Sequence, residues 1–565
     1  MKINYLTFLF LVLFACKTQE TENTTQEQTT STTSPAFPFQ WGNANVYFLL
    51  TDRFYNGDEG NDKQFDRERD GALLRNFMGG DLKGITKKIQ EGYFDELGIT
   101  ALWFTPPVEQ IHSFTDEGTG KTYGYHGYWA RDWTAIDPNF GTTEDLKELI
   151  DTAHEHGIRI LMDAVVNHTG PVTPVDSQWP DEWVRTDPTC VFQDIESTVE
   201  CTLVDNLPDI YTGKDEAVEL PDFLIEKWKA EGRYEQEIQE LDAFFERTGY
   251  PRAPRFYIIK WLTDWVREMG IDGFRVDTAK HTHASIWKDL KKEALAALKA
   301  WKAENPDKKL DDLDFFMTGE VYNYELHHGQ DFDMGNNEKV NFFENGFESL
   351  INFSLKKDAQ NGYESIFSAF DKMLNEGELK GLSVLNYLSS HDDGEPFDRD
   401  RTRVFEAGTK LLLCLGASQV YYGDETARPL HIEGAVGDAN LRSFMNWEAL
   451  ANNENTKGYS IADVHKHWSK LGQFRKEHLA VGMGKHTLLQ DEPYIFKREY
   501  EENGKSDKVL VALNLDFTSD NIMMDIFGLF ADGEKVKDYY SGKTYTVNNG
   551  KVTMQPQGGI VLLGK

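Results

Sequence analysis

Three acidic residues, Asp277, Glu320 and Asp392, close segments that have the pattern of buried β-strands. The predicted strands cover residues 271–277, 314–320 and 382–390. When parallel strands close into a barrel, their C-terminal ends lie on one face of it. The sequence therefore predicts that the three carboxyl groups share one pocket.

A pocket that holds one ionised and one protonated carboxyl group can cleave a glycosidic bond. Asp277 shares a strand face with Arg275, because residues i and i+2 point the same way. The guanidinium is expected to keep that carboxylate ionised and nucleophilic. Glu320 has apolar neighbours, and burial among them is expected to raise its pKa so that it can donate a proton. Taken singly, each motif has an ordinary structural explanation, such as a salt-bridged strand end or a turn.

The elements that would position these acids alternate between strand and helix along residues 41–444. Helical stripes at 145–156 and 256–269 end at Gly157 and Gly270, which are typical terminators. Apolar strand segments lie at 46–50, 99–104 and 158–166. This alternation favours a (β/α)8 TIM barrel or a doubly wound sheet, and the acids at several strand ends favour the barrel.

Two regions depart from the alternation. Residues 169–254 contain two Cys, several Pro and a charged helical piece at 225–245, and are predicted to form an inserted subdomain after strand 3, packed over the pocket. Short strands at 494–497, 509–514, 543–547 and 559–563 predict a C-terminal antiparallel β-sandwich domain. The predicted domains are the barrel at 36–168 and 255–478, the insertion at 169–254 and the C-terminal domain at 479–565.

Charge limits the partners. The 565 residues carry a formal net charge of −35, which argues against binding to nucleic acid or to an anionic membrane surface. An acidic protein suits a neutral polymer or cations such as Ca²⁺. The charge can equally serve only to keep an exported protein soluble, and we expect that to explain most of it.

The N-terminus is predicted to direct export. Residues 1–15 combine a basic start with an apolar run too short to cross a bilayer, as in a signal peptide. Cys16 follows a small residue and resembles the lipidated Cys of a bacterial lipoprotein. Residues 16–35 would then form a flexible tether, since they contain almost nothing to bury. The prediction is an exported, membrane-anchored lipoprotein at the outer membrane, cell surface or periplasmic face; an ordinary signal peptide is the alternative.

The other cysteines differ in setting. Cys190 and Cys201 lie in one polar stretch of an exported chain, which favours a disulfide, with free thiols or metal ligation as alternatives. Cys414 lies in an apolar run and is predicted to be an inert core residue.

Taken together, the motifs resemble glycoside hydrolase family 13, the α-amylase family. The resemblance covers about residues 41–447, and several segments, 261–280 among them, are similar to those of bacterial periplasmic members. Ser390 departs from the family pattern, in which Asn usually precedes His-Asp. The segments that carry the resemblance are 125–129, 163–168, 207–210, 273–281, 319–320 and 390–392.

The resemblance implies a retaining mechanism with Asp277 as nucleophile, Glu320 as acid/base and Asp392 as transition-state stabiliser. Asp393 follows directly, so the choice of Asp392 depends on the His-Asp match. The resemblance also implies that five residues bind the sugar: His126, Tyr128, His168, Arg275 and His391.

Hard oxygen donors predict structural calcium. The turn at 56–62 is rich in Asn and Asp, and composition alone fits a solvated turn equally well. The resemblance to a calcium loop of cyclodextrin-forming relatives implies a site at Asn56, Asp58, Asn61, Asp62, Gly79 and Asp81. It implies a second ion at Asn167, Asp209 and the carbonyl of His281, which would clamp the insertion to the barrel.

The expected function is endo-acting hydrolysis of α-1,4 bonds in starch, glycogen and malto-oligosaccharides. A related α-glucan enzyme is the alternative: a cyclomaltodextrinase, an α-glucosidase or a transglycosylase. A non-catalytic glucan-binding lipoprotein ranks lower, because all three acids are present.

Overall fold

Eight parallel strands close a barrel in the order in which they occur along the chain. Strand β1 pairs with both β2 and β8, which completes the closure. This confirms the predicted (β/α)8 barrel. The strands are β1 Asn45–Leu49, β2 Ala101–Phe104, β3 Arg159–Ala164, β4 Gly273–Val276, β5 Phe316–Gly319, β6 Ser349–Asn352, β7 Ser383–Asn386 and β8 Ala417–Tyr421.

The computed structural model describes residues 37–116, 118–516 and 521–565. Residues 39–565 form one unit. The predicted signal segment, Cys16 and the tether at 16–35 lie outside the described residues. None of the described helices has both the length and the apolar character needed to cross a membrane.

Helices cover the barrel, and their ends follow local chemistry. Thr142 and Asp145 form a capping box at the start of Thr143–Glu155. Gly270 ends Pro254–Met269 in the left-handed region, where a Cβ would lie 2.3 Å from Trp301. The helices outside residues 169–254 are Thr51–Phe54, Leu82–Gln90, Tyr93–Glu96, Thr143–Glu155, Pro254–Met269, Ser285–Glu304, Leu355–Asp358, Tyr363–Asp371, Val404–Leu412, Trp447–Ala451, Ile461–Glu477 and Leu479–Met483.

The insertion leaves the barrel after β3, as predicted. It contains one two-stranded sheet, Val184–Arg185 with Asp209–Ile210, and a short helix, Glu196–Val199. Cys190 and Cys201 form a disulfide here. The single helical piece predicted at 225–245 is wrong: there are two helices, Asp222–Glu231 and Tyr234–Thr248, because Gly232 takes a left-handed conformation between them.

The C-terminal region contains a six-stranded antiparallel sheet and a two-stranded sheet that share one apolar core. Four of the eight strands were predicted from the sequence. The other four are short and exposed on one face, and they were not predicted. The six-stranded sheet comprises Lys485–Gln490, Tyr494–Glu502, Lys505–Leu513, Val561–Gly564, Lys535–Asp538 and Lys543–Thr546; the smaller one pairs Ile522–Asp525 with Lys551–Met554.

Smaller hairpins lie on the barrel loops. They are Val108–Gln110 with Ala130–Ile136, Phe114–Asp116 with Lys121–Tyr123, Asp331–Gly335 with Glu338–Asn341, and Asn455–Thr456 with Tyr459–Ser460.

The strand that leads to Asp392 is shorter than predicted. Asp277 and Glu320 directly follow β4 and β5, but β7 ends at Asn386 rather than at residue 390. Pairing of β7 with β8 stops at Asn386, so the next residues continue as a loop. Asp392 is therefore placed by that loop.

Candidate active site

One buried arginine joins three carboxyl groups at the mouth of the barrel. Arg275 is 1% exposed and lies beside Asp163 in the register of β3 and β4. Its Nη1 donates to Asp277 Oδ1 at 2.7 Å and to Asp163 Oδ1 at 2.9 Å. Its Nη2 lies 2.9 Å from Glu320 Oε2. Asp277 and Glu320 thus face the same guanidinium, as the strand pattern predicted.

The second hydrogen-bond partner of Glu320 is the backbone of Thr278, which has a strained conformation. Thr278 has φ +47°, in the left-handed region that β-branched residues rarely adopt. Its backbone N–H donates to Glu320 Oε2 at 3.0 Å. Such strain persists only where the surrounding fold enforces it, and Thr278 was not among the residues singled out from the sequence. Nothing in the sequence signals this conformation.

The environment of Glu320 favours its protonated form. Burial raises its pKa, and the charges of Asp277 and Asp392 add to that effect. Arg275 and the Thr278 N–H oppose it, which leaves the pKa at about 8. The carboxyl group therefore retains its proton at neutral pH and can act as a proton donor.

Asp163 is a second residue whose role the sequence analysis missed. It accepts hydrogen bonds from Trp103 Nε1 at 3.0 Å and from Tyr128 Oη at 2.7 Å, besides those from Arg275. Burial raises its pKa to about 6, with Asp277 adding to the effect and Arg275 opposing it. A signal was present, because an acid within the apolar run 160–166 must face a polar partner.

The five predicted sugar-binding residues form one contiguous group. Tyr128 stacks on His391 with ring centroids 5.2 Å apart and on His126 at 5.9 Å. His168 Nε2 lies 3.1 Å from the Tyr128 carbonyl, and the Arg275 guanidinium lies 5.8 Å from the Tyr128 ring. Burial lowers the pKa of all three histidines, so their rings are neutral at neutral pH.

Asp392 and Asp393 have different partners. Arg442 forms a hydrogen bond with Asp392, and His391 Nε2 lies 3.0 Å from it. Asp393 instead pairs with Lys356 and accepts a hydrogen bond from Tyr387 Oη at 2.7 Å.

The pKa of Asp392 is lowered. Desolvation would raise it, although the side chain is 49% exposed, and His391 and Arg442 outweigh that effect. Since burial lowers the pKa of His391 to about 4, the ring is neutral near pH 7. We therefore attribute the ionised state of Asp392 to the Arg442 guanidinium. Arg442 lies 50 residues further along the chain, and the sequence analysis missed it.

A cavity of about 250 Å³ opens above this network. Arg275, Glu320, His391 and Asp392 line it together with aromatic side chains. The aromatic part of the lining comprises Trp103, Tyr322, Phe353 and Tyr387. Apolar rings beside a few convergent polar groups suit a sugar chain.

Four of the predicted residues, Asp277, His126, Tyr128 and His168, are not part of that lining. Asp277 and Tyr128 both contact Arg275, which lines the cavity. Tyr128 also stacks on His391, another lining residue. His126 and His168 contact Tyr128 in turn. The predicted residues therefore form one connected set around the cavity.

The first predicted calcium region fits a hard cation in part. The side-chain oxygens of Asn56 and Asn61 are buried and have no hydrogen-bond partner. Gly79 approaches Asp62 so closely that a Cβ would lie 2.6 Å from Asp62 Oδ1. The two orphaned amide oxygens and the main chain of Gly79 are suitable calcium donors. Asp62 accepts hydrogen bonds from Asn56 at 2.7 Å and from Arg69 at 2.8 Å, but the Arg69 side chain is exposed.

Two other residues of that region are engaged elsewhere. Asp58 pairs with Lys83 at 2.6 Å, and Asp81 caps the helix Leu82–Gln90 through the N–H of Gly84. The structure therefore does not support the prediction that both are ligands, because their oxygens already have protein partners. Within the described residues, no group of three or more His, Cys, Asp or Glu is arranged to hold a metal ion.

The second predicted calcium region also fits a hard cation in part. Asp209 is buried, and Arg185 Nε lies 3.2 Å from its Oδ2 without a hydrogen bond, so that this carboxylate oxygen has no hydrogen-bond partner. The Asn167 side-chain oxygen accepts a hydrogen bond from Thr282 at 3.4 Å. Asn167, Asp209 and the carbonyl of His281 are hard oxygen donors, and this site stays a prediction.

Comparison with known proteins agrees with this geometry. Residues 48–188 match the family model described as α-amylase, catalytic domain. The chain is 38% identical over 545 residues to the periplasmic α-amylase of Escherichia coli strain K12, covering 85% of this chain and 73% of that protein. It is 25% identical to a cyclomaltodextrin glucanotransferase of Geobacillus stearothermophilus, covering 90% of this chain and 65% of that protein.

Solved structures share the fold. An Anoxybacillus α-amylase superposes with a TM-score of 0.63 at 23% identity, covering 93% of this chain and 99% of that one. An α-amylase from Geobacillus thermoleovorans, complexed with acarbose, gives a TM-score of 0.63 at 22% identity, with the same coverage.

Proposed function

Because the chain belongs to glycoside hydrolase family 13, the α-amylase family, we propose that it hydrolyses internal α-1,4 bonds of starch- and glycogen-type glucans and of malto-oligosaccharides with retention of the α-anomer. The observation that carries the proposal is the single guanidinium of Arg275, which joins Asp277 at 2.7 Å and Glu320 at 2.9 Å. This arrangement brings the proposed nucleophile and the proton donor to one guanidinium, which lines the cavity together with Glu320.

In the proposed first step, a carboxylate oxygen of Asp277 attacks the anomeric carbon while Glu320 gives its proton to the departing glycosidic oxygen. The bond between the anomeric carbon and that oxygen breaks, and a covalent glycosyl ester forms on Asp277. In the second step Glu320, now ionised, takes a proton from water, whose oxygen displaces Asp277. Two inversions give net retention.

The charge that develops on the sugar ring between these states is positive. Asp392 is proposed to stabilise it, since Arg442 keeps that carboxylate ionised. The Tyr128 ring, held by Asp163 at 2.7 Å, is proposed to stack on the sugar. His126, His168, His391 and Arg275 are proposed to bind its hydroxyl groups.

Cleavage of internal bonds is supported by the part of the cavity wall that follows Glu320 in the chain. Tyr322 follows it by two residues, lines the cavity and is 53% exposed. Its ring meets Phe353 edge to face at 5.4 Å. An exposed ring on the leaving-group side gives the departing glucan a surface to pack on, so both sides of the cleaved bond can hold sugar units.

A second candidate is a transglycosylase, in which a glucan hydroxyl replaces water in the second step. Its support is the 25% identity to a cyclomaltodextrin glucanotransferase over 90% of this chain. The same acids serve both reactions, so the acceptor distinguishes them. A cyclomaltodextrinase or an α-glucosidase would use these acids on other substrates.

The deciding experiment is digestion of maltoheptaose blocked at its non-reducing end. We expect shorter reducing oligosaccharides, whose fresh anomer is α in NMR spectra, and about 10³-fold slower release by Glu320→Gln. Absence of cleavage would contradict internal action, and β-anomer first would contradict the double displacement. Longer products, formed when the free non-reducing end of a released fragment replaces water, would favour the transglycosylase.

Calcium is proposed at Asn56, Asn61, Gly79 and Asp62, where it would replace the exposed Arg69 as the partner of Asp62 and neutralise the acidic turn. The orphaned oxygens of Asn56 and Asn61 support this site. A chelator is expected to lower the Tm of the wild type, and to leave that of Asn61→Ala/Asp62→Ala unchanged. An unchanged wild-type Tm, with no bound metal, would refute the site.

Export and anchoring are proposed from the N-terminus, with a signal segment at 1–15, lipid on Cys16 and a tether to residue 35. The periplasmic α-amylase of E. coli, a relative at 38% identity, supports export. Cys16→Ala is expected to move the protein from the membrane fraction to the soluble fraction. The proposed domains keep the boundaries 36–168 with 255–478, 169–254 and 479–565.

A further inference from the structure

A lysine with unused hydrogen-bond donors lies in the wall of the cavity. Lys356 belongs to the short helix Leu355–Asp358, which follows β6, and its side chain is 11% exposed. An ammonium group has three N–H donors. Among the described hydrogen bonds and ion pairs, the carboxylate of Asp393 is the one acceptor that this group contacts. Since Lys356 lines the cavity, its two other donors are available to a molecule bound there.

The carboxylate of Asp393 holds this ammonium in place. It also accepts hydrogen bonds from the Tyr387 hydroxyl at 2.7 Å and from the backbone N–H of Glu395 at 3.0 Å. Desolvation would raise the pKa of Asp393, but Lys356 and Tyr387 outweigh that effect, so the pKa is lowered. Both carboxylate oxygens thus have partners already, whereas the ammonium has donors to spare.

The aromatic rings around this pair connect it with the wall that is proposed to hold the departing glucan. Phe353 meets the ring of Tyr322 at 5.4 Å and that of Tyr387 at 5.6 Å, both edge to face. Tyr322 is the exposed ring that follows Glu320, the proposed proton donor. Tyr387 donates to the carboxylate that holds Lys356. The ammonium therefore lies on the leaving-group side of the cavity.

We infer that Lys356 binds hydroxyl groups of the glucose units on the leaving-group side and so makes the enzyme prefer a glucan to a leaving group without sugar. This inference rests on the proposed function. A sugar hydroxyl can accept from the free donors of the ammonium without displacing Asp393. Such hydrogen bonds are charge-assisted and stronger than those between neutral groups. An acceptor sugar enters from the same side, so the contact would serve transfer as well as hydrolysis.

The test compares two substrates that differ in the leaving group. Maltoheptaose places glucose units on both sides of the cleaved bond, whereas an aryl maltoside releases a phenol, which has no sugar hydroxyls. For Lys356→Met we expect kcat/KM on maltoheptaose to fall by about 10-fold or more, and that on the aryl maltoside to fall by about twofold at most. Lys356→Met/Asp393→Asn also removes the carboxylate that would lose its cation, and it should show the same selective loss.

Lys357→Met is the matched control, because that neighbouring side chain is 70% exposed and pairs with Glu325 at 3.1 Å. It should leave kcat/KM unchanged on both substrates. Lys356→Arg keeps the charge and the donors, so it should lose less on maltoheptaose than Lys356→Met. If Lys356→Met fails to fold, the double variant decides.

An equal loss on both substrates, or an unchanged kcat/KM on maltoheptaose, would overturn the inference. In that case a wild type that cleaves both substrates would leave the proposed function intact. A wild type that cleaves neither substrate would refute the proposed function itself, and the inference with it.

Discussion

Two buried arginines organise ion networks in this protein, one at the barrel mouth and one in the insertion. Arg275 is shared by Asp163, Asp277 and Glu320, and no second cation contacts Glu320 among the described ion pairs. Arg185 meets Asp209 and Glu200, and His283 contacts Glu200 from the other side.

The two glutamates show what this difference does. Burial raises the pKa of Glu320 to about 8, because the share of Arg275 that reaches it is too small to compensate. Burial also acts on Glu200, but His283 and Arg185 outweigh it and lower its pKa. A carboxyl group becomes a proton donor where negative charges outnumber cations beside a cavity. Glu200, whose side chain is 41% exposed against 14% for Glu320, has two basic partners and a lowered pKa.

The largest expected effect is that of Asp277→Asn, which keeps the size of the side chain but removes the nucleophile. We expect kcat on a malto-oligosaccharide to fall by about 10⁴-fold or more, with Tm close to that of the wild type. Arg185→Met should show the opposite pattern, a lower Tm with smaller change in kcat. An Asp277→Asn enzyme with near-normal kcat, or with a Tm loss as large as that of Arg185→Met, would break the comparison.

The barrel and its acids could be predicted from the sequence because they depend on local patterns. Asp277 follows an alternating apolar strand, and the family segments specify which acid is which. The role of Gly270 at the end of the helix before β4 could also be predicted, since Gly is the usual residue there. In the structure its left-handed φ and the closeness of Trp301 both exclude a residue with a Cβ.

The parts that could not be predicted depend on contacts between distant segments. Arg442 reaches Asp392 from 50 residues away, and Arg185 meets Asp209 across a two-residue strand pair. The guanidinium beside Asp209 lies 24 residues upstream of it in the chain. Neither the composition nor the spacing of the segment reveals that neighbour.

The second prediction concerns the proton on Glu320. Since the acid form is required for departure of the leaving group, activity should decline as pH rises through about 8. Glu320→Gln should lower kcat by about 10³-fold and abolish that decline. An aryl maltoside with an acidic phenol needs little protonation, so the variant should retain far more of its activity on it. An equal loss on both substrates would assign the proton to another residue.

Stability gives an independent check on Glu320. Its folded pKa lies above that of an unfolded glutamic acid, so the stability due to its proton is complete at acid pH and is lost as pH rises toward about 8. Gln resembles the protonated form at every pH. The Tm of Glu320→Gln relative to the wild type should therefore rise between acid and alkaline pH. Parallel Tm curves would mean that Glu320 has no raised pKa and that the contrast with Glu200 is wrong.

The smallest expected effect is at Thr278, whose backbone rather than side chain contacts Glu320. Its left-handed conformation costs about 1–2 kcal/mol for a residue with a Cβ. Thr278→Gly removes that cost but also loosens the unfolded chain, so Tm should change little. The freer backbone should orient its N–H less well and lower kcat several-fold. Thr278→Ala keeps the backbone strain and loses only the outer atoms of the side chain, so it should retain kcat. If both variants lose activity equally, the side chain of Thr278, and not its backbone N–H, orients Glu320.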